Sequence, residues 1–311
     1  MPTTPQSDPA PRLLILENLL QSVAAEADRA AMRAGTGRSG GPITGIASLD
    51  DVLGGYLAPG LHVLHGAPGT GKTALALQIA ATCMAPALFV TAEMAPVELA
   101  RRVIARVTDT HLKHLRSGEL DGAAVLALGR RAAAAVPWLA ILDATQGPAP
   151  TVEDLHANLD AVRNRARRGG EHGRLAHDTG ALLVIDSGHA WAAGIDAPGV
   201  PEYDRLNAAI QGLHGLARVE NVPVLVTAER NRASMQSGGQ NAAAGTRAWE
   251  YRAETVLDLT DDDGKDGALG RDTSTSRHVL IGIHKNRHGP PMARGLPLAW
   301  DGHVQRFRSR T

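Results

Sequence analysis

Eight consecutive residues have the types and spacing to hold a triphosphate: Gly66, Ala67, Pro68, Gly69, Thr70, Gly71, Lys72 and Thr73. They follow the apolar run LHVLHG (61–66) and lead into good helix formers, which is where the pattern Gly-x4-Gly-Lys-Ser/Thr must lie to work. Three glycines let the backbone curl until its N–H groups point inward at phosphate oxygens. The helix behind them presents its positive end to the same anion. Lys72 is placed to reach the β- and γ-phosphates as a compact ammonium, and Thr73 to offer its hydroxyl to Mg²⁺. The chain has only four lysines (72, 113, 265 and 285) against 28 arginines, so a lysine here is a weak sign that a point charge is wanted.

A Mg²⁺-bound triphosphate also calls for a carboxylate at a strand end. ALLVIDS (181–187) puts Asp186 after four apolar residues, the pattern of a metal-holding aspartate. Hydrolysis further requires a base that orients water. Two apolar runs end in glutamate, Glu93 in VTAEM and Glu229 in VTAER. In a parallel sheet the carboxyl ends of neighbouring strands open onto one crevice, so both can face the γ-phosphate. Thirteen histidines are scattered without an i, i+4 pair and carboxylate that would argue for zinc, and HLKH (111–114) reads as helix surface.

The elements that must position these groups alternate along the chain. Strands are expected at 61–66, 87–93, 139–144, 181–187 and 223–229, all buried. Helices are expected at about 72–83, 96–108, 122–136, 152–168 and 203–219. This is an α/β fold with a mainly parallel central sheet and helices on both faces. Residues 255–265 and 277–290 read as hairpin-like edge strands, with the acidic turn 261–266 solvating that edge. Residues 1–11 are Pro-rich and read as disordered. Leu13, Leu16, Leu20, Val23, Ala27 and Ala30 form a heptad seam on a helix over about 12–33, followed by the Gly-rich hinge 35–42. That helix either folds back on its own domain or docks on a neighbouring subunit. Two regions follow: 1–42 (tail, docking helix, hinge) and 43–311 (catalytic domain).

Composition narrows the partners. Hydrophobic residues make up 43% of the 311, with nine aromatics, so the core must be aliphatic and alanine-rich. The balance of 32 basic against 32 acidic residues supplies no global field toward nucleic acid or membranes, so a polyanion site must be a local patch. The single cysteine, Cys83, excludes an internal disulfide framework and reads as a small apolar filler. The N-terminus lacks a basic leader and an uninterrupted apolar run, so a soluble, cytoplasmic chain without a membrane span is expected.

Together these segments resemble the RecA-like P-loop ATPases, and most closely the ATPase domain of DnaB-type replicative helicases. TGIASLDDVLGG (44–55) resembles that family's lead-in to the P-loop, and TAEMAPVELARRVIA (91–105) its catalytic-glutamate strand end and helix. HLKHLRSGEL (111–120) resembles a helical element of the same branch, VPVLVTAERNR (222–232) a γ-phosphate-sensing strand, and IHKNRHGPPMARGLPLAWDGHVQRF (283–307) the C-terminal strands with their K-x-R-x-G element. The resemblance spans about 43–308. It implies ATP hydrolysis with Mg²⁺ and Glu93 as the base. It also implies Lys285 and Arg287 reaching the ATP site of an adjacent subunit, a homo-oligomeric ring (a hexamer is expected), translocation on single-stranded DNA, and replication proteins as partners. The strand would be gripped by loops at about 188–202 and 231–248, with Arg230, Arg232 and Arg247 beside the second. Alternatives are a nucleotide-switched scaffold or a recombination or repair ATPase that unwinds nothing.

The chain departs from that pattern in three places. Glu229 stands where glutamine is usual, and a second carboxylate near phosphate needs an offsetting charge, for which Arg230, Arg232 and Arg247 are candidates. The segment after Asp186, SGHAWAAGIDAPGVPEYD, replaces a tyrosine-led stretch. Only the helix at about 12–33 is expected ahead of the hinge, where that family has a globular N-terminal domain.

Overall fold

The computed structural model describes residue 13 and residues 15–35, 39–168, 180–229, 248–262 and 276–310. Two compact units divide at Gly40. The first holds α1 (Leu16–Gly35), an amphipathic helix on which Leu16, Leu20 and Val23 are exposed.

The second unit is built on nine strands. In chain order its elements are α2 (Ala47–Val52), β1 (Gly60–Gly66), α3 (Lys72–Thr82), β2 (Ala87–Thr91), α4 (Pro96–Thr108), α5 (Gly122–Ala135), β3 (Leu139–Asp143), α6 (Val152–Arg168), β4 (Leu182–Asp186), α7 (Gly188–Ala193), α8 (Glu202–Val219), β5 (Pro223–Glu229), β6 (Thr255–Asp261), β7 (Ser276–Asn286), β8 (Met292–Asp301) and β9 (Arg306–Ser309). The sheet order is β3-β2-β4-β5-β1-β6-β7-β8-β9. The first six strands run parallel, and β7 to β9 continue antiparallel.

Side chains along a strand alternate between faces, and here both faces are covered. That is why the central strands read as unbroken apolar runs. Leu64, Phe89, Val184, Leu225 and Leu257 pack with α3 and α4 on one side. Val63, Leu88, Val90, Leu183, Ile185, Val224 and Val226 pack with α6 and α8 on the other. Helix α3, directly behind the phosphate loop, is buried on every side from Ala74 to Ala81, which its run of small and aliphatic residues permits. Cys83 is buried at its end, and burial pushes the thiol up to about 12, as befits an inert filler. Helix starts follow local chemistry: Asp121 caps α5 through Ala124 N, and Thr151 and Asp154 bond each other's backbone amide ahead of α6.

Three expectations change. The segment at 255 is an inner strand: β6 lies parallel to β1, and only its other side pairs antiparallel with β7. The edges are β3, which is only half-buried, and β9. Residues 112–116 form turns instead of a helix. Gly118 adopts φ 80°, and the His303 carbonyl accepts from Leu112 N at 2.7 Å, drawing the segment onto the β8–β9 turn. The acidic turn at 261–266 lies mostly outside the described residues, as do residues 1–11.

The free edge of β9 is closed by one side chain. Gln78 of α3 donates to the Phe307 carbonyl at 2.9 Å and accepts from the Phe307 amide at 2.7 Å, so it acts as a one-residue surrogate strand. Gln78→Ala leaves both buried backbone groups unpaired and should lower the unfolding free energy by about 2–4 kcal/mol, measured by urea denaturation.

Candidate active site

The phosphate loop is shaped by two tight approaches. Gly71 adopts φ 100°, and a Cβ there would come within 3.0 Å of Phe307 and 3.4 Å of Trp300, so only glycine fits between the loop and the C-terminal strands. Gly66 has strand geometry, yet a Cβ would lie 2.8 Å from the Leu259 carbonyl and 2.7 Å from Thr70 Oγ1. Thr70 Oγ1 donates to the Ala67 carbonyl at 2.8 Å. Lys72 arches over the loop and donates to the carbonyls of Gly66 (2.9 Å) and Ala67 (3.1 Å).

Around this ammonium the sheet gathers three carboxylates. Burial pulls the Lys72 pKa below its ordinary value, against the opposing charges of Glu229, Glu93 and Asp186. Asp186 ends β4 almost fully buried, and its Oδ1 accepts from Thr227 at 2.6 Å and from Thr73 at 3.2 Å. Burial pushes its carboxyl pKa up, and the two hydroxyls oppose the shift only in part. A buried aspartate beside the Thr73 hydroxyl is a pair of hard oxygen donors short of positive charge, which fits Mg²⁺. Among the described residues no group of three His, Cys, Asp or Glu could hold an ion.

Glu93 lies on the turn just past β2. The turn is stapled to the Asp186 strand end: Ala92 N donates to the Asp186 carbonyl at 2.7 Å, and the Thr91 hydroxyl bonds Met94 in both directions. Ser187 Oγ donates to Glu93 Oε1. Glu229 ends β5 level with Gly66 and is exposed. Arg230, Arg232 and Arg247 lie outside the described residues. Within them, Lys72 is the cation that feels the Glu229 charge, whereas burial lowers the His189 pKa and favours its neutral form. Trp191 and Trp249 are both buried in the core and present no face on which a base could stack.

Lys285 and Arg287 are elsewhere. Asn286 lies opposite Thr255, which is level with His62, whereas the phosphate loop starts at Gly66. Four residues of strand separate the two levels, roughly 13 Å. The pair therefore sits toward the opposite end of the strands from the loop of its own chain. Lys285 donates to the carbonyls of Glu250 and Tyr251, both at 3.0 Å. Burial and the neighbouring Arg287 hold its pKa down. Arg287 pairs with Glu254 at 3.2 Å, keeps 52% of its side chain exposed, and lines a cleft of about 610 Å³ with Arg218, Arg252 and His214.

Sequence reasoning missed four contributors. Ser187 directly follows Asp186, Thr227 lies two residues before Glu229 and His189 three after Asp186, and a serine or threonine within two steps of a strand-end carboxylate was the available signal. Arg277, at the far end of β7, donates to the Gly69 carbonyl at 3.1 Å, pairs with Asp261 and lies 5.4 Å over the Trp300 ring. One arginine among 28 carries no local signal.

Asp186 yields a stability prediction. Its folded pKa is raised, so its contribution to stability is present in acid and is lost as pH rises through the raised value. Asp186→Asn keeps an oxygen for both hydroxyls and removes the buried charge. It should stabilise the metal-free chain at neutral pH by about 1 kcal/mol, with the gain shrinking toward pH 4. Melting temperatures across pH, without nucleotide, check this.

The profile of the DnaB-like helicase C-terminal domain matches residues 41–309. The replicative DNA helicase DnaB of Treponema pallidum (strain Nichols) is 27% identical over 255 residues, covering 80% of this chain and 52% of the relative. The replicative DNA helicase DnaB of Leifsonia xyli subsp. xyli (strain CTCB07) is 26% identical over 277 residues, covering 85% and 55%. The chain thus spans about half the length of these relatives. Among solved structures, the ATPase domain of G40P superposes with TM-score 0.70 at 17% identity, over 94% of this chain and 99% of that one. A DnaB-like replicative helicase described with its interactions with primase superposes with TM-score 0.71 at 18% identity, over 96% and 68%. These likenesses establish the RecA-like fold, and with the matched profile the chain belongs to the family of DnaB-like helicase C-terminal domains.

Proposed function

We propose that this chain is the ATPase core of a ring-forming motor of DnaB type. It hydrolyses ATP with Mg²⁺, moves along single-stranded DNA and separates duplex ahead of it, in the cytoplasm. The observation that carries this reading is the split of the two cationic centres. Lys72 lies with Asp186, Thr73, Glu93 and Glu229 at one end of the strands, while Lys285 and Arg287 lie toward the other. A site that needs both sets of charges is completed between protomers.

The chain's own residues divide the work. Loop amides and Lys72 hold the phosphates, and Glu93 polarises the attacking water. Thr73 and Asp186 would hold Mg²⁺, which neutralises charge on the phosphate oxygens when bound. Arg287, with Lys285, enters the neighbour's site and stabilises charge that develops in the transition state. Glu229 senses the γ-phosphate, its charge offset by Lys72. The exposed apolar seam of α1 supports docking on an adjacent subunit in a hexamer, and Arg230, Arg232 and Arg247 track the DNA backbone without reading sequence. Replication proteins are the expected partners, in line with the relatives named replicative helicases. Those names support a motor over a switch or a filament-forming ATPase.

Lys72→Ala and Arg287→Ala should each reduce turnover by about 10³-fold or more, Lys72→Ala with loss of nucleotide affinity and Arg287→Ala with affinity kept. Mixing the two inactive variants in equal amounts should restore up to about a quarter of wild-type ATPase, because randomly mixed rings rebuild intact sites between unlike neighbours. No recovery on mixing, or an Arg287→Ala protein that hydrolyses normally, sinks the shared-site reading. Added single-stranded DNA should raise the ATPase rate several-fold, with a steep salt dependence; an unchanged rate would instead identify a switch.

A further inference from the structure

We propose that Ser187 is the positioning residue for Glu93, holding its carboxylate so that one oxygen stays free to accept from the attacking water. The inference rests on the reading of Glu93 as the water-polarising base.

The backbone around Glu93 is already fixed. Ala92 N is bonded to the Asp186 carbonyl at 2.7 Å, and Met94 is bonded in both directions to Thr91. What stays free is the glutamate side chain, which is exposed and has three rotatable bonds. Two groups compete for it. Lys72 attracts its charge and, unopposed, would draw the carboxylate onto the ammonium and out of line with an attacking water. Ser187 Oγ donates a hydrogen bond to Oε1 and holds it away. Ser187 is itself immobile: its side chain is buried between the β4 end and the start of α7. A carboxylate oxygen fixed by a donor leaves the second oxygen able to accept from water. The proton stays on serine throughout, and no bond is made or broken at Ser187.

The competing role for this hydroxyl is capping. Ser187 is the N-cap of α7, but its contact with Ala190 N is long, at 3.4 Å. The hydroxyl's donated hydrogen bond goes to the glutamate, since in the cap contact the oxygen only accepts.

The test uses the full chain, assembled, with ATP and Mg²⁺. Ser187→Ala should lower kcat roughly 10- to 100-fold, the range found when an orienting partner is removed from a functional side chain. KM, and affinity for a non-hydrolysable ATP analogue, should be unchanged. Ser187→Thr retains the hydroxyl and should recover kcat to within about threefold of wild type. In a Glu93→Gln background, Ser187→Ala should add no further loss, because both changes act through one carboxylate. Wild-type kcat for Ser187→Ala beside an inactive Glu93→Gln overturns the proposal and leaves the serine as a helix cap. So does a Ser187→Ala loss that appears as weakened nucleotide affinity or that adds fully to Glu93→Gln. If Glu93→Gln hydrolyses ATP normally, the assignment of the base is wrong, and this outcome is read independently of Ser187.

Discussion

One ammonium among three carboxylates organises this molecule. Lys72 is half-buried, tied to two loop carbonyls, and surrounded by Asp186, Glu93 and Glu229. Each carboxylate arrives on a different strand end, so their convergence requires β4, β2 and β5 to be parallel and adjacent, as the sheet order has them. Parallel pairing with helical crossovers on both faces in turn demands two apolar surfaces per strand, which the uninterrupted Val, Leu and Ile runs supply. The electrostatics at the top of the sheet therefore dictate much of what the hydrophobic core must be. The desolvated Asp186 is the clearest sign that stability has been given up for this arrangement: two hydroxyls and the Lys72 charge offset its burial only in part.

Features whose geometry is local were legible in the sequence. A loop that must turn through positive φ at Gly71 and let the Leu259 carbonyl within a Cβ radius of Gly66 can be written in few ways, so glycines at those spacings announce it. Strands buried on both faces are similarly plain, and α3, α4, α5, α6 and α8 fall within a residue or two of their expected bounds. What depended on pairing was not legible. Nothing in TVLDLTD tells that β6 lies beside β1 and not at an edge, because the partner is chosen by tertiary register. The turns at 112–116 resist a local reading for the same reason: a carbonyl from His303, far along the chain, decides their conformation.

The polar side chains that support the site mark the same boundary. The tetrapeptide Val-Thr-Ala-Glu occurs at the ends of both β2 and β5, and its glutamates were visible as candidates. Its threonines were not, although Thr91 ties the Glu93 turn and Thr227 bonds Asp186. A hydroxyl is common and chemically mild, so its meaning comes from what stands within 3 Å of it. Gln78 is a similar case, a glutamine in an apolar helix whose purpose becomes visible only with β9 alongside.

The placement of the two cationic centres toward opposite ends of β1 and its neighbours has a geometric consequence for assembly. If Lys285 and Arg287 complete a neighbour's site as proposed, a protomer offers a charged tip at one end and a receiving cradle at the other, and copies would associate head to tail and not by twofold pairing. Such a contact uses up one of each surface and leaves one of each exposed, and association stops only when the accumulated rotation returns to its start. The subunit count is then a property of the angle between neighbours, and a small change in that angle is enough to turn a closed circle into an open spiral.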